Sequence, residues 1–356
     1  VKNNLKTFLK AQTQFQDYDF EGSGMSVLVD LLAYNTHYMG YYANMLGNEM
    51  FLDSSSLRES VVSHAKHLNV IPTSRRAAKA TLNFTFTPTG TPTSLTIAKN
   101  TKFTSSISGV SYTFTTNKTT SIPRSVAGTY TATGVEIVEG KILNKAYTVN
   151  GADSTQRFII PNANVDTTTI TVTVQTSAND SSVATYQDGN SYDVTTIKGR
   201  DKVFFLQECE GQKYELTFGD GAVGKQLSDG NIIFIEYIVT TGTDANLAST
   251  FTAVGSVAGL SSANYVITTN AAATGASDIQ DIKSLQFQVP KLFAAQGRAC
   301  TKEDYEAIVL DGRPDIESIT VVPGEDASPV QYGKVFIAVK PSGNNVFSTA
   351  SKEIIK

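Results

Sequence analysis

The chain has 356 residues, 40% of them hydrophobic and 17% charged, with a net charge of −4. That length exceeds what one hydrophobic core usually serves, so two or three domains are expected, and the apolar share excludes a disordered chain. The mild acidity offers no basic surface to nucleic acid or to an anionic membrane.

Two cysteines, Cys209 and Cys300, cannot staple a fold of this size, and neither belongs to a CxxC or Cys/His cluster. Both are expected reduced and buried. No apolar run reaches the roughly 18 residues that span a bilayer. The opening Val-Lys-Asn-Asn carries no signal-peptide pattern. The start without Met, and an end within Ser351-Lys-Glu-Ile-Ile-Lys356 that reads as a helix cut short, suggest part of a longer chain.

Residues 1–76 are predicted helical. Leu5, Phe8 and Leu9 share a face at i, i+3, i+4 spacing. The acidic loop Asp17-Tyr-Asp-Phe-Glu-Gly-Ser-Gly24 precedes a helix over about 26–46 that is apolar almost all the way round. Such a helix must be covered by other elements, and a region this small has few to offer. Ser56-Leu-Arg-Glu59 has capping-box spacing, with Leu57, Val61, Ala65 and Leu68 as the buried stripe and Ile71-Pro72 as the stop.

From residue 77 to 270 the period changes to two. Thr81–Thr87, Tyr112–Thr115 and Ile170–Val174 alternate polar and apolar residues, rich in Thr, Val, Ile and aromatics. A long antiparallel β-rich middle is expected, in two modules, 77–150 and 151–270. Residues 271–300 are expected to be a flexible linker, Ala271–Ala276, and a helix that begins at Ser277 and stops at Pro290. Residues 301–356 then begin a C-terminal α+β domain. Its elements are a helix with a Thr301-x-x-Asp304 cap, strands over 316–322 and 334–340, and a final helix. The fold class is α+β, multidomain.

Three motifs hint at chemistry. Gly219-Asp-Gly-Ala-Val-Gly-Lys-Gln226 satisfies G-x-x-x-x-G-K after a strand. A phosphate loop needs Ser or Thr where Gln226 stands, and a helix next, whose amides bind the phosphate. Here a turn and the strand pattern Ile232–Val239 follow, so the glycines are read as turn positions. His64 and His67 lack a third zinc ligand at a defined place and are read as solvated. Asp17, Asp19 and Glu21 lack the twelve-residue calcium pattern and are read as favouring the positive end of the following helix. No nucleophile motif is present, and no catalytic, cofactor or metal residue is assigned.

Several segments resemble, in order, the T-even-like phage baseplate wedge family that forms the inner ring. They are Asp17-Tyr-Asp-Phe-Glu-Gly-Ser23, Leu31-Leu-Ala-Tyr-Asn-Thr36, Leu57-Arg-Glu-Ser-Val-Val62, Pro72-Thr-Ser74, Phe218-Gly-Asp-Gly221 and the run Ile235–Asn246. Arg298-Ala-Cys-Thr-Lys-Glu-Asp-Tyr305 and Gly333–Pro341 are similar to the wider baseplate J-like family; residues 88–210 are the least familiar. The resemblance implies a non-catalytic subunit. Two copies would join a second wedge protein, six wedges would close a ring around the tail hub, and the domain begun at 301–356 would mediate dimerisation.

The residues lead to the same place independently. Leu28, Leu31, Leu32, Tyr34, Tyr38, Tyr41, Tyr42 and Met45 are the predicted interface, because association would cover the apolar helix and tyrosine suits contacts with one wet edge. The expected partners are a second copy and other wedge proteins, with no nucleic acid, membrane insertion or small-molecule substrate, and no cofactor. The setting is the virion tail, assembled in the host cytoplasm. The alternatives are the equivalent subunit of a bacterial contractile injection system and a tail fibre or adhesin. The linker at 271–276 is expected to let flanking domains reorient.

Overall fold

The computed structural model describes residues 1–15, 19, 22, 24–153, 155–192, 194–311, 313 and 316–341. The chain divides into two compact units, Val1–Asn69 and Val70–Lys356.

The first unit is helical: α1 (Lys2–Lys10), α2 (Met25–Glu49) and α3 (Arg58–His67). α1 lies along α2, with a Lys2–Asp30 ion pair at 2.5 Å. In α3 the buried residues are Val61, Val62 and Ala65, whereas Leu57 is exposed and Leu68 half-buried, so the expected stripe is narrower than four residues. α3 ends ahead of Ile71-Pro72, where Asn69 turns the chain with a left-handed φ of 58°. Ser56 and Glu59 do not form the expected capping box. The N-cap is Leu57, without a side-chain cap bond, and the preceding helix supplies the acceptor instead. Glu49 Oε1 accepts from Ser56 N (2.9 Å), Ser56 Oγ (2.6 Å) and Leu57 N (3.3 Å). The Ser56 and Ser60 hydroxyls, then the backbone, hold its carboxyl at about 2.

The second unit is β-rich. A six-stranded sheet runs, edge to edge, through Thr252–Ala253, Lys102–Ile107, Val110–Thr116, Tyr130–Glu139, Lys79–Phe86 and Tyr265–Thr274. Alternation sets its core face: Ala80, Leu82, Phe84 and Phe86 point inward from one strand and meet Phe103, Phe114 and Ile137. A separate pair, Ser94–Ile97 with Thr120–Pro123, adds Leu95, Ile97 and Ile122 to this core. A seven-stranded sheet runs through Lys141–Thr148, Ile232–Val239, Val165–Gln175, Val183–Asp188, Val203–Cys209, Lys213–Phe218 and Phe158–Ile160. Its core holds Val172, Val174, Phe204, Leu216, Ile233 and Ile235.

Three expectations need correction here. The middle is not wholly antiparallel: Val183–Asp188 and Val203–Cys209 pair in parallel, because residues 189–202 form a crossover rather than a tight turn. The two sheets are not consecutive. The chain changes sheet at Gly140, not near 150, and returns to the first sheet after residue 239, so 141–239 is an insertion within it. Nor is 271–276 a flexible linker. Residues 271–274 end the strand Tyr265–Thr274, paired with Lys79–Phe86, and Ala273 is fully buried. Small apolar residues there serve close packing, which composition alone cannot separate from looseness.

After this strand, Ser277 bridges Arg76 and Gln280 N donates to Thr73 O, so the helix starts later than expected. It is α4 (Ile282–Ala295), capped by Asp281 accepting from Ser284 N, and it continues through Pro290. The α5 helix (Lys302–Leu310) has the expected Thr301/Asp304 capping box, and the strands Ile316–Pro323 and Val335–Pro341 pair antiparallel. The expected final helix lies outside the described residues. Cys209 is half-buried and Cys300 exposed, so the expected burial of the two cysteines does not hold.

Candidate interaction surface

The α2 helix is the unusual element. Of its 25 residues only Val29 is buried. The named interface residues Leu28, Leu31, Leu32, Tyr34, Tyr38, Tyr41 and Tyr42 are all exposed, from 40% (Tyr38) to 62% (Leu31), and Met45 is half-buried. Val27, Met39, Leu46 and, beyond the helix end, Met50 and Phe51 are exposed as well. Isolated exposed apolar residues are ordinary, but a continuous run of this size marks a contact surface.

The helical period sorts these residues into two seams. Val27, Leu31, Tyr34, Tyr38, Tyr41 and Met45 follow one another at alternating steps of four and three. That is the a/d spacing by which one helix packs into another. Leu28, Leu32, Asn35, Met39, Tyr42 and Leu46 repeat the same steps one residue later, hence about 100° round the axis. Behind them Ala33, Gly40 and Gly47 form a line of small residues, and a Cβ at either glycine would meet open space. Asp30, His37, Asn44 and Asn48 supply the polar edge. Neighbouring rings stiffen this face: Tyr34 and Tyr38 of the first seam lie 4.5 Å apart between centroids, and Tyr38 lies 6.2 Å from Tyr42 of the second. Val27, Met39 and Leu46, outside the predicted interface set, stand in the same seams. The heptad steps were the signal that finds them.

The remaining leads resolve locally. In the turn Gly219–Lys225 the amides serve the fold: Ala222 N and Val223 N both donate to Asp220 Oδ1 at 2.9 Å, and Lys225 N donates to Asp201 O at 2.7 Å. The first two hold the Asp220 carboxyl below its usual range. A carboxylate thus occupies the position a phosphate would need, and a Cβ on Gly219 would lie 2.2 Å from the Gly224 carbonyl carbon. His64 is not solvated as expected. It is half-buried, with Nε2 donating to Glu49 O at 3.0 Å. His67 is exposed. Asp19 accepts from Gly22 N at 3.2 Å in the turn ahead of α2, while Asp17 and Glu21 lie outside the described residues. Among the described residues no group of three or more His, Cys, Asp or Glu could hold a metal ion, and no helix is long and apolar enough to cross a membrane.

Residues 1–69, which contain both seams, match the helical domain of gp6-like baseplate wedge proteins, and residues 301–356 match C-terminal domain I of the baseplate structural protein gp6. Two stretches of the chain are therefore similar to modules of structural baseplate proteins. Among individual relatives, the chain is 27% identical over 385 aligned positions to baseplate wedge protein gp6 of Enterobacteria phage T4, covering all of this chain and 55% of that protein. The chain thus spans about half the length of that curated relative. A chain in the cryo-EM structure of the anti-feeding prophage baseplate aligns with 98% of this chain and 69% of its own, at 13% identity and a TM-score of 0.33, a likeness too slight to bear on fold or partners.

Proposed function

We propose that the chain is a structural subunit of a contractile phage-tail baseplate wedge, joining wedge partners and neighbouring wedges into the ring around the tail hub. One observation carries this reading: α2 presents two adjacent heptad seams of exposed large apolar side chains. A helix with one seam pairs once; a helix with two can sit between two neighbours. A second copy of this chain and a second wedge protein are the neighbours the reading assigns, so the helical region 1–76 enters a bundle shared between chains. The α+β region at 301–356 takes the contact between wedges, and the J-like likeness of Arg298–Tyr305 and Gly333–Pro341 fits that placement. The role is mechanical and not enzymatic. The one nucleotide-like motif consumes its own amides, and the seams select protein partners over nucleic acid, membrane or small molecules. Assembly takes place in the host cytoplasm and the product resides in the virion tail.

Mixing the full-length protein with the wedge proteins encoded beside it, and weighing the complex by native mass spectrometry, tests the reading. A heteromer with two copies of this chain is expected. A monomer that ignores every wedge protein would overturn it.

A further inference from the structure

We propose that the two sheets of Val70–Lys356 form one rigid strut, locked where residues 141–239 leave and rejoin the six-stranded sheet, so that a load on either sheet moves both as a single body. Two modules in series on one strand can swivel about that strand. An inserted module is held by two crossings, and here the crossings touch each other.

The departing strand ends at Glu139 and turns at Gly140, whose φ is 116° and whose N–H donates to Thr113 O at 2.9 Å. A Cβ at Gly140 would stand 2.3 Å from Val239 O on the returning strand, an approach only glycine permits. Glu139 is 3% exposed, and its carboxylate accepts from the Thr240 hydroxyl, from Thr241 N at 3.2 Å and from Thr241 Oγ1 at 3.2 Å. One carboxylate therefore ties the way out to the way back.

A second buried carboxylate works from the inserted side. Asp166, 1% exposed, accepts from Ala77 N of the leading segment at 3.0 Å, while Thr168 N (2.9 Å) and Thr168 Oγ1 (2.6 Å) hold its other oxygen. Beside it Thr167 N donates to Ser74 Oγ at 3.1 Å, and Thr240 N donates to Asn164 O at 3.0 Å. Ala77, Val138 and Ile238 seal the space between, and a Lys99–Glu236 ion pair bridges further out. Any swing of one sheet against the other would strip partners from two buried carboxylates at once, which is far costlier than bending an exposed loop. The expectation of a hinge at 271–276 fails for a related reason: those residues close the strand order of the first sheet.

Burial pushes the Glu139 carboxyl above its usual range, against the Thr240 and Thr241 bonds, so an uncharged glutamine that keeps an acceptor is a fair replacement. The test uses the whole chain in a Cys209→Ser, Cys300→Ser background. Nitroxide labels go on the exposed positions Val110→Cys and Val183→Cys, one on each sheet, and on Val110→Cys and Val266→Cys within one sheet as the reference. Double electron–electron resonance should give an inter-sheet distance distribution as narrow as the reference. It should stay narrow in Glu139→Gln and broaden at least twofold in Glu139→Ala with Asp166→Ala. A broad or bimodal distribution in the parent overturns the strut, and a folded double-alanine chain as narrow as the parent overturns the lock. Should the double variant not fold, Glu139→Ala alone decides, through the same distances and a tenfold faster exchange of the Thr241 amide. Unchanged distances and exchange there also overturn the lock.

Discussion

Replacing Leu31 and Tyr41 with alanine separates a contact surface from a misread core. Leu31 is 62% exposed and Tyr41 61%, so each has about three-fifths of its burial still to gain on association. Full burial of such a side chain stabilises by about 1.5–3 kcal/mol, which leaves roughly 1–2 kcal/mol each and about 2–4 kcal/mol for the pair. That corresponds to wedge assembly weakened on the order of 10²-fold. In the free chain the same double substitution should lower Tm by less than about 2 °C, since exposed positions shift stability little. Val61→Ala is the control: Val61 is fully buried, and its truncation should cost the free chain roughly 2 kcal/mol. Thermal unfolding of the free chain and sedimentation of the mixed wedge proteins measure both arms. The reasoning is refuted if the Leu31/Tyr41 variant destabilises the free chain as much as Val61→Ala does, or assembles as tightly as the parent.

The Glu49 carboxylate is depressed in the folded chain, so what it contributes to the α2–α3 turn is present above the unfolded value of about 4.3 and is lost as pH falls toward 2. The protection of the Ser56 and Leu57 amides against hydrogen exchange, relative to the intrinsic rate at each pH, should fall from pH 5 to 2 in the parent and show no such step in Glu49→Gln. Gly140→Ala should lower stability by about 3 kcal/mol or more, because a positive φ and a backbone clash coincide there; a Tm within about 2 °C of the parent would contradict it. Excising 141–239 and joining the crossings by a short turn should leave a folded six-stranded sheet, since its core draws no residue from that span. Loss of cooperative unfolding would argue otherwise.

Period was the legible part of the fold. Thr81–Thr87 and Ile170–Val174 alternate because one face of each strand is buried, and the strands are where that pattern places them. Partner choice was not legible. Nothing in Tyr265–Thr274 says that its neighbour lies some 190 residues earlier, in Lys79–Phe86, so an Ala-rich strand end read as a linker. Capping failed for a similar reason: Ser56 and Glu59 have the right spacing, but Glu49, seven residues upstream of Ser56, reaches the amides first. In the helical region, apolar content picked out α2. The three- and four-residue steps then assign each side chain to a seam, Val27, Met39 and Leu46 included.

The same α2 sequence carries a further consequence for its order. A helix gains most of its stability from the face it buries, and α2 buries Val29 alone. Its own propensity is modest: Gly40 and Gly47 each cost about 1 kcal/mol relative to alanine, and Thr36, Asn35 and four tyrosines add smaller penalties. Gly24 at its N-cap makes no side-chain cap bond. If the seams are covered by partners as proposed, the ordering of α2 is linked to association, and part of the contact energy goes into fixing the helix. Amide exchange across 30–47 should therefore be fast in the free chain and slow by at least 10²-fold in the assembled wedge. Full protection of α2 in a monomeric chain would mean that its faces are already satisfied, and the shared bundle would lose its physical basis.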